Sequence, residues 1–487
     1  MAEEKRPWDL LIIGGGATGL GVAVDASSRG YRVLLVEQHD FAKATSSRST
    51  KLVHGGVRYL QQGDVSMVVE ALHERGRLWR NAPHLVKDMR FIIGNYRWWE
   101  RPFYTIGLCC YDLLAGRLGL GRSLPLSKKQ TLKELPGLLH DHLRGGVVYH
   151  DGQFDDSRMA ITLMQSAHDH GAICINYMKV TSLIKNDSGK ICGAALEDTL
   201  EGGTYEVNVK GVVNATGVYV DDIMQMDKPE SRKKVRPSQG VHIVVDAAFL
   251  GGNSALMIPK TRDGRVLFGV PWHGKAVLGT TDTPLNENSL EPKPLDEEID
   301  FILDQAGQYL TRKPKRSDVL SVFAGLRPLA APTHSDSKKT KEISRNHKIY
   351  VSDSGMLTIT GGKWTTYRQM AEEAVNKVAA LIGLEPRACV TRKMQLHGYR
   401  EEVDRSVWDY VYGSDADQIA ALIENDASLG ELLHIGYTFR VAHVIWAVRE
   451  EMAQTVEDVL ARRVRALFMD ARAAMEMAPR VAAIMAR

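Results

Sequence analysis

The chain is short of cysteine. Its five thiols, Cys109, Cys110, Cys174, Cys192 and Cys389, include no Cys-x-x-Cys spacing and leave an odd one over, which suits a reducing compartment better than a disulfide framework and gives no support to a zinc site. Charge of either sign is not in excess: 62 Lys plus Arg against 59 Asp plus Glu leave +3, so no global field points to nucleic acid. No apolar run approaches the roughly 20 residues needed to cross a bilayer. Residues Met1 to Pro7 lack the apolar stretch and small-residue cleavage site of a secretory signal, so a cytoplasmic protein is expected, able to lie on a membrane surface. Internal repeats and low-complexity segments are missing too. At 487 residues, two or three domains are expected.

What the N-terminus does have is specific. A hydrophobic run from Trp8 to Ile13 enters Gly14-Gly15-Gly16-Ala17-Thr18-Gly19, a helix-like stretch runs to Gly30, and Tyr31 to Val36 form a second strand ending in Glu37. Strand, glycine turn, helix, strand and acid in this order make a dinucleotide-binding βαβ unit. Gly14 turns tightly, Gly16 lets the backbone approach a pyrophosphate, and Gly19 lets helix and strand pack closely. The helix N-terminus offers N–H groups to phosphates. Glu37 suits ribose hydroxyls and repels a 2′-phosphate, which disfavours NADP.

A second polar, glycine-bearing segment follows at once, from Ala44 through Thr45-Ser46-Ser47 to Lys51-Leu52-Val53-His54-Gly55-Gly56-Val57-Arg58-Tyr59-Leu60. A flavin, with its ribityl chain and ring system, needs such a segment, so the cofactor reading is FAD. Gly211 to Asn214 read as a buried strand breaking at Ala215-Thr216-Gly217. Leu357 to Thr360 read as another strand, opening through Gly361-Gly362-Lys363-Trp364 into a helix from about Thr365 to Leu381. That helix start is suited to the negative charge of a reduced flavin.

These segments, with Gly325-Leu326-Arg327-Pro328-Leu329 and Gly361 to Arg368, resemble the FAD-dependent glycerol-3-phosphate dehydrogenases of the quinone-linked, aerobic type over nearly the whole chain. The resemblance implies oxidation of sn-glycerol 3-phosphate to dihydroxyacetone phosphate, with electrons passed to a membrane quinone from the inner face of the cell membrane. It implies an α/β fold: an FAD-binding doubly wound domain of the glutathione-reductase/amino-acid-oxidase type, an antiparallel-sheet substrate domain and a C-terminal helical domain. Expected boundaries are 1–95, 150–235 and 320–387 for the first, 96–149 and 236–319 for the second, and 388–487 for the third. Non-covalent FAD is implied at Gly14, Gly16, Gly19, Glu37, Thr45, Ser46, Ser47, Lys51, Leu52, His54, Gly55, Ala215, Thr216, Gly217, Gly361, Gly362, Lys363 and Thr365, with no metal. A homodimer is left open.

A phosphorylated polyol carries about two negative charges, and arginine is the best phosphate clamp. Arg58, Arg327 and Lys363 are the motif cations, Arg345 is a fourth candidate from the corresponding family segment, and Tyr59 is a further substrate contact. For the hydroxyl proton, His242 on the alternating strand Gly240 to Val245 ranks first as base and Lys363 second, while Arg327 is placed to stabilise a developing alkoxide.

Between Phe91 and Leu114, Trp98, Trp99, Phe103 and Tyr104 beside Arg97 and Arg101 have an interfacial composition and mark the candidate membrane contact, an aromatic cluster at a domain interface being the other reading. Val266 to Trp272 and Ala276 to Asp282 read as two antiparallel strands, and Asp296-Glu297-Glu298 as a helix start. Thr333 to Asn346 read as an exposed loop or hairpin. Thr438 to Met452 and Val456 to Met469 read as amphipathic helices, the second carrying Arg462-Arg463-Val464-Arg465 as a solvated face, an interface with the catalytic body or an electrostatic membrane contact. Two other readings stand beside the quinone-linked dehydrogenase: a glycerol-3-phosphate oxidase reducing oxygen to peroxide, and a non-catalytic flavin-binding redox sensor.

Overall fold

A computed structural model describes residues 6–61, 63–330 and 347–486. Trp8–Ile13 is buried along its whole length, as an apolar strand covered on both faces must be. It pairs in parallel with Val33–Val36 on one side and Thr204–Asn214 on the other, so that Ile13 stands opposite both Val36 and Asn214. Ile173–Ile175 and Leu357–Thr360 extend the parallel sheet outward, and Lys348–Val351 closes one edge in antiparallel sense. The hairpin Met178–Lys185 and Ile191–Asp198 is antiparallel and joins the start of Thr204–Asn214. Ala17–Ser28 packs on Tyr367–Leu381 and on Asp156–Asp169 over this sheet.

A second sheet is built around Val235–Asp246. Lys275–Gly279, Leu267–Trp272, Ala255–Ile258, Lys87–Asn95, Gly145–Gln153 and Leu52–Val53 follow on one side of it. Ser321–Ala330 pairs along almost its whole length, from Val235 opposite Ala330 to Val244 opposite Ser321. All these pairings are antiparallel except Ala255–Ile258 with Lys87–Asn95. Lys87–Asn95 and Ser321–Ala330 thus lie in this sheet rather than with the βαβ unit, so residue order alone does not divide the two. The expected pair of strands is present as a hairpin whose turn, His273 at φ +47° and Gly274 at φ +75°, has the left-handed backbone of a tight two-residue turn. The expected acidic helix start opens Asp296–Gly307.

The C-terminal part is helical, with Asp415–Asn425, Val441–Arg449 and Ala471–Met485. The single amphipathic helix read from Val456 to Met469 is instead a wide π-turn, Asp458–Arg463, and a short helix, Ala466–Met469, separated at Arg465 with φ +66°. Arg462, Arg463 and Arg465 are buried, so the interface reading holds and neither the solvated-face nor the membrane-contact reading does. Thr333 to Asn346 lie outside the described residues.

Candidate functional site

At the carboxyl end of Trp8–Ile13 the chain turns through Gly14 at φ +109°, where an added Cβ would lie 2.9 Å from the Ala215 carbonyl oxygen. A Cβ on Gly19 would lie 1.9 Å from the Gly14 oxygen, so helix and turn touch backbone to backbone. Gly16 stands at the N-cap of Ala17–Ser28 with no side-chain cap, and Ala17 N donates to Ser46 Oγ at 2.9 Å. Glu37 accepts from Gly15 N at 2.7 Å and from His39 N at 2.9 Å. Burial raises its carboxyl above the ordinary value, against the lowering effect of these two amides.

These groups line a cleft of about 300 Å³ whose other walls are Thr45, Ser46, Ala215, Thr216, Gly217 and Gly361 to Trp364. Gly361 and Gly362 adopt φ +80° and +76°, which lets the strand Leu357–Thr360 turn back on the cleft. Trp364 Nε1 donates to Ser46 O at 2.9 Å and Thr45 Oγ1 to Leu326 O at 2.7 Å, tying the three walls together. Positive-φ glycines, a helix N-terminus whose N-cap glycine supplies no side-chain cap, and a carboxylate at the strand end fit a dinucleotide.

Thr45, Pro328 and Gly361 to Trp364 also line an adjoining cavity of about 210 Å³. Sheet register builds its floor. His242 is opposite Phe323, Gly240 opposite Gly325 and Ser238 opposite Arg327, and directly paired residues of an antiparallel ladder share a face. His242 is 3% exposed, stacks on Phe323 with ring centres 4.9 Å apart, and has Nε2 2.9 Å from Thr50 Oγ1. Burial, reinforced by the charges of Lys51 and Arg327, holds its pKa well below the ordinary value, so the ring is neutral. Arg327 donates to Gln239 O at 3.2 Å and to Thr280 Oγ1 and Thr281 O at 3.0 Å, with Asp282 Oδ1 3.4 Å away. Lys363 lies over the Tyr59 ring with its ammonium 4.1 Å from the centre. Thr365 Oγ1 accepts from His54 N at 3.1 Å.

Of the expected site residues, the structure gathers Gly14, Gly16, Glu37, Thr45, Ser46, Ala215, Thr216, Gly217, Gly361, Gly362 and Lys363 along the first cavity. Leu52, His54, His242, Arg327 and Thr365 line the second. Arg58 sits on the helix Val57–Gln61, its side chain outside what the structure describes, and Arg345 lies outside the described residues. Four expected cofactor contacts, Gly19, Ser47, Lys51 and Gly55, line neither cavity, Gly19 serving instead the close approach of helix and turn. The Lys51 ammonium is fully buried against Asp156 at 2.7 Å and Ser47 O at 2.8 Å. Ser47 is buried beside it, and Gly55 admits the Leu72 side chain and the Tyr111 hydroxyl, each 2.5 Å from where its Cβ would stand. Thr50, Arg48 and Phe268 line the second cavity without having been singled out in the sequence. The hydroxyl-rich run that contains Thr50 was the available signal.

Residues 9–368 match the family described as FAD dependent oxidoreductase, and residues 357–487 the C-terminal domain of alpha-glycerophosphate oxidase. The chain is 41% identical to a mitochondrial glycerol-3-phosphate dehydrogenase of Arabidopsis thaliana, over 100% of this chain and 83% of that one. It is 40% identical to the mitochondrial glycerol-3-phosphate dehydrogenase of Rattus norvegicus, over 100% of this chain and 71% of that one. A solved glycerol-3-phosphate dehydrogenase from Bacillus halodurans complexed with FAD is similar with TM-score 0.80 and 32% identity, covering 99% of this chain and 90% of that one.

Proposed function

The chain belongs to the FAD-dependent glycerol-3-phosphate dehydrogenases, and from that premise we propose that it oxidises sn-glycerol 3-phosphate at a membrane surface and delivers the electrons to a quinone. FAD, when bound, supplies the acceptor for the hydride that leaves carbon 2. The glycine turn, Thr45, Ser46 and the segments Ala215 to Gly217 and Gly361 to Lys363 hold the cofactor in the cleft they line.

Substrate is held by cations of the second cavity. The Arg327 fork is pre-set by Gln239 O, Thr280 Oγ1, Thr281 O and the more distant Asp282 Oδ1, and presents a positioned guanidinium to a phosphomonoester. Lys363 adds a second charge, and Arg58 is carried on the helix that follows Gly56. His242 is the base: a neutral imidazole in the same cavity can take the hydroxyl proton of the substrate, and a protonated one could not. Arg327 stabilises the negative charge that develops on that oxygen.

One surface feature carries the quinone-linked reading. The helix Glu100–Ala115 leaves Phe103, Ile106 and Leu113 exposed by 53%, 67% and 81%, with Trp98 just before it exposed by 76%. Beneath it lies an apolar cavity of about 290 Å³ lined by Val57, Leu60, Phe103, Ile106, Met257 and Pro259. Rings at headgroup depth and an apolar cavity beside the active-site helix Val57–Gln61 suit a lipid quinone entering from a bilayer. No described helix is long and apolar enough to cross a membrane.

The test mixes the holoenzyme with glycerol 3-phosphate without oxygen and follows the flavin band. Bleaching, slow reoxidation in air and rapid reoxidation by a quinone analogue are expected. Rapid peroxide formation in air would instead identify an oxidase, and no bleaching would remove both enzymatic readings. Replacing Trp98, Phe103 and Ile106 by Ser is expected to abolish co-sedimentation with vesicles while leaving bleaching intact. Unchanged co-sedimentation would remove the membrane surface.

A further inference from the structure

The Thr50 hydroxyl lies 2.9 Å from His242 Nε2, whereas Nδ1 of the same ring is buried without a hydrogen-bond partner among the described residues. We propose that Thr50 is a positioning residue for His242, accepting the Nε2 proton so that Nδ1 keeps the free lone pair, and that the C-terminal helical region holds Thr50 in place through Arg465. The inference rests on the reading of His242 as the base.

In a neutral imidazole one nitrogen donates and the other accepts, and the bond made by one sets the state of the other. A proton on Nε2 gives the ring's only N–H an acceptor. A proton on Nδ1 would bury that N–H without one, at the full desolvation penalty. The first state leaves Nδ1 an acceptor, and the second leaves it blocked. Lys51 and Arg327, the charges that face the ring, disfavour a resting imidazolium.

Thr50 is held from both sides in sequence. Ser49 donates to Asp156 Oδ2 from N at 2.9 Å and from Oγ at 2.7 Å, and Lys51 Nζ donates to the same oxygen at 2.7 Å. The other oxygen of Asp156 accepts from Arg465 at 2.9 Å, and Arg465 also donates to Ser47 O at 3.0 Å. Lys51, Asp156 and Arg465 are fully buried, so water cannot replace these contacts. An aromatic path runs in parallel: Phe468 meets the edge of Phe323, and Phe323 stacks on His242.

The experiment uses FAD-loaded enzyme labelled with ¹⁵N-histidine. The His242 signals of the wild type are expected to show protonated Nε2 and bare Nδ1; a proton on Nδ1 overturns the proposal directly. Thr50→Val is expected to lower kcat by about 10²-fold, the scale of general-base catalysis, with KM within about twofold, a shifted acidic limb of the pH profile and mixed tautomer signals. Thr50→Ser is expected to restore kcat, the pH profile and the tautomer signals, and Thr50→Ala to repeat the loss without the valine methyl. Wild-type kcat and pH profile in both Thr50→Val and Thr50→Ala, with His242→Asn inactive, would overturn the role of Thr50 and spare the base. An active His242→Asn would overturn the base itself.

Discussion

At the scale of single residues the second cavity depends on side chains that are missing as much as on those present. Arg327 reaches across the ladder to Gln239 O, and a Cβ on Gly240 would stand 2.3 Å from its Nη2 and 2.7 Å from its Cζ. Gly240→Ala therefore leaves every charge in place and moves only the guanidinium. The expected outcome is a rise in KM for glycerol 3-phosphate of about 10- to 100-fold, since a hydrogen bond to a charged group contributes about 1.5–3 kcal/mol, with kcat changed much less. Steady-state kinetics check it, and an unchanged KM would place the phosphate away from Arg327. Arg327 was legible because a motif surrounds it. Gly240 and Thr50 were not, because their importance lies in which strand and loop face them across the cavity, and no local pattern of residue types records that.

At the scale of elements, legibility follows how local the physics is. The βαβ unit was readable because a positive φ, a close backbone approach and a helix N-terminus each demand glycine at one position, within a stretch that folds on itself. Gly14→Ala tests this: with φ +109° and the Ala215 oxygen 2.9 Å away, the methyl group both strains the turn and pushes Ala215 to Gly217 outward. The expected product is folded protein with little or no bound FAD, measured as the ratio of flavin to protein absorbance; a full complement would show that the turn does not set the cleft. The segment Val456 to Met469 shows the opposite case. Its apolar spacing is helical, yet Asp458–Arg463 widens into a π-turn and Arg465 takes φ +66°. Three arginines there meet Asp40, Asp155, Asp156 and Asp458, all buried, three of them remote in the chain. Burying such charges is tolerable only when each finds its partner, so the distant carboxylates, and not the local periodicity, decide the backbone.

At the scale of the molecule, the C-terminal region is joined to the cofactor-binding body by ionic contacts as well as by a common apolar core. Arg158 pairs with Glu451, Arg463 with Asp40 and Arg465 with Asp156, all within the interior. His397 makes a further joint nearer the surface, with Nδ1 2.7 Å from Asp169 on the helix Asp156–Asp169 and Nε2 3.0 Å from Asp415 at the start of Asp415–Asn425. Burial opposes charge on this ring, but the carboxylates of Asp415 and Asp169 outweigh it and push its pKa up to about 9. A histidine raised from its unfolded value of about 6.5 contributes stability that is fully present below that pH and lost as pH rises through about 9. The side chain is 26% exposed, and solvent screening limits the contribution to about 1 kcal/mol. His397→Gln is therefore expected to lower the denaturation midpoint relative to wild type near pH 6, with the gap closing near pH 10. Denaturant titrations at the two pH values check this. A gap of equal size at both would mean that the histidine joins the two parts by packing alone, and a gap that widened with pH would reverse the sign of the linkage.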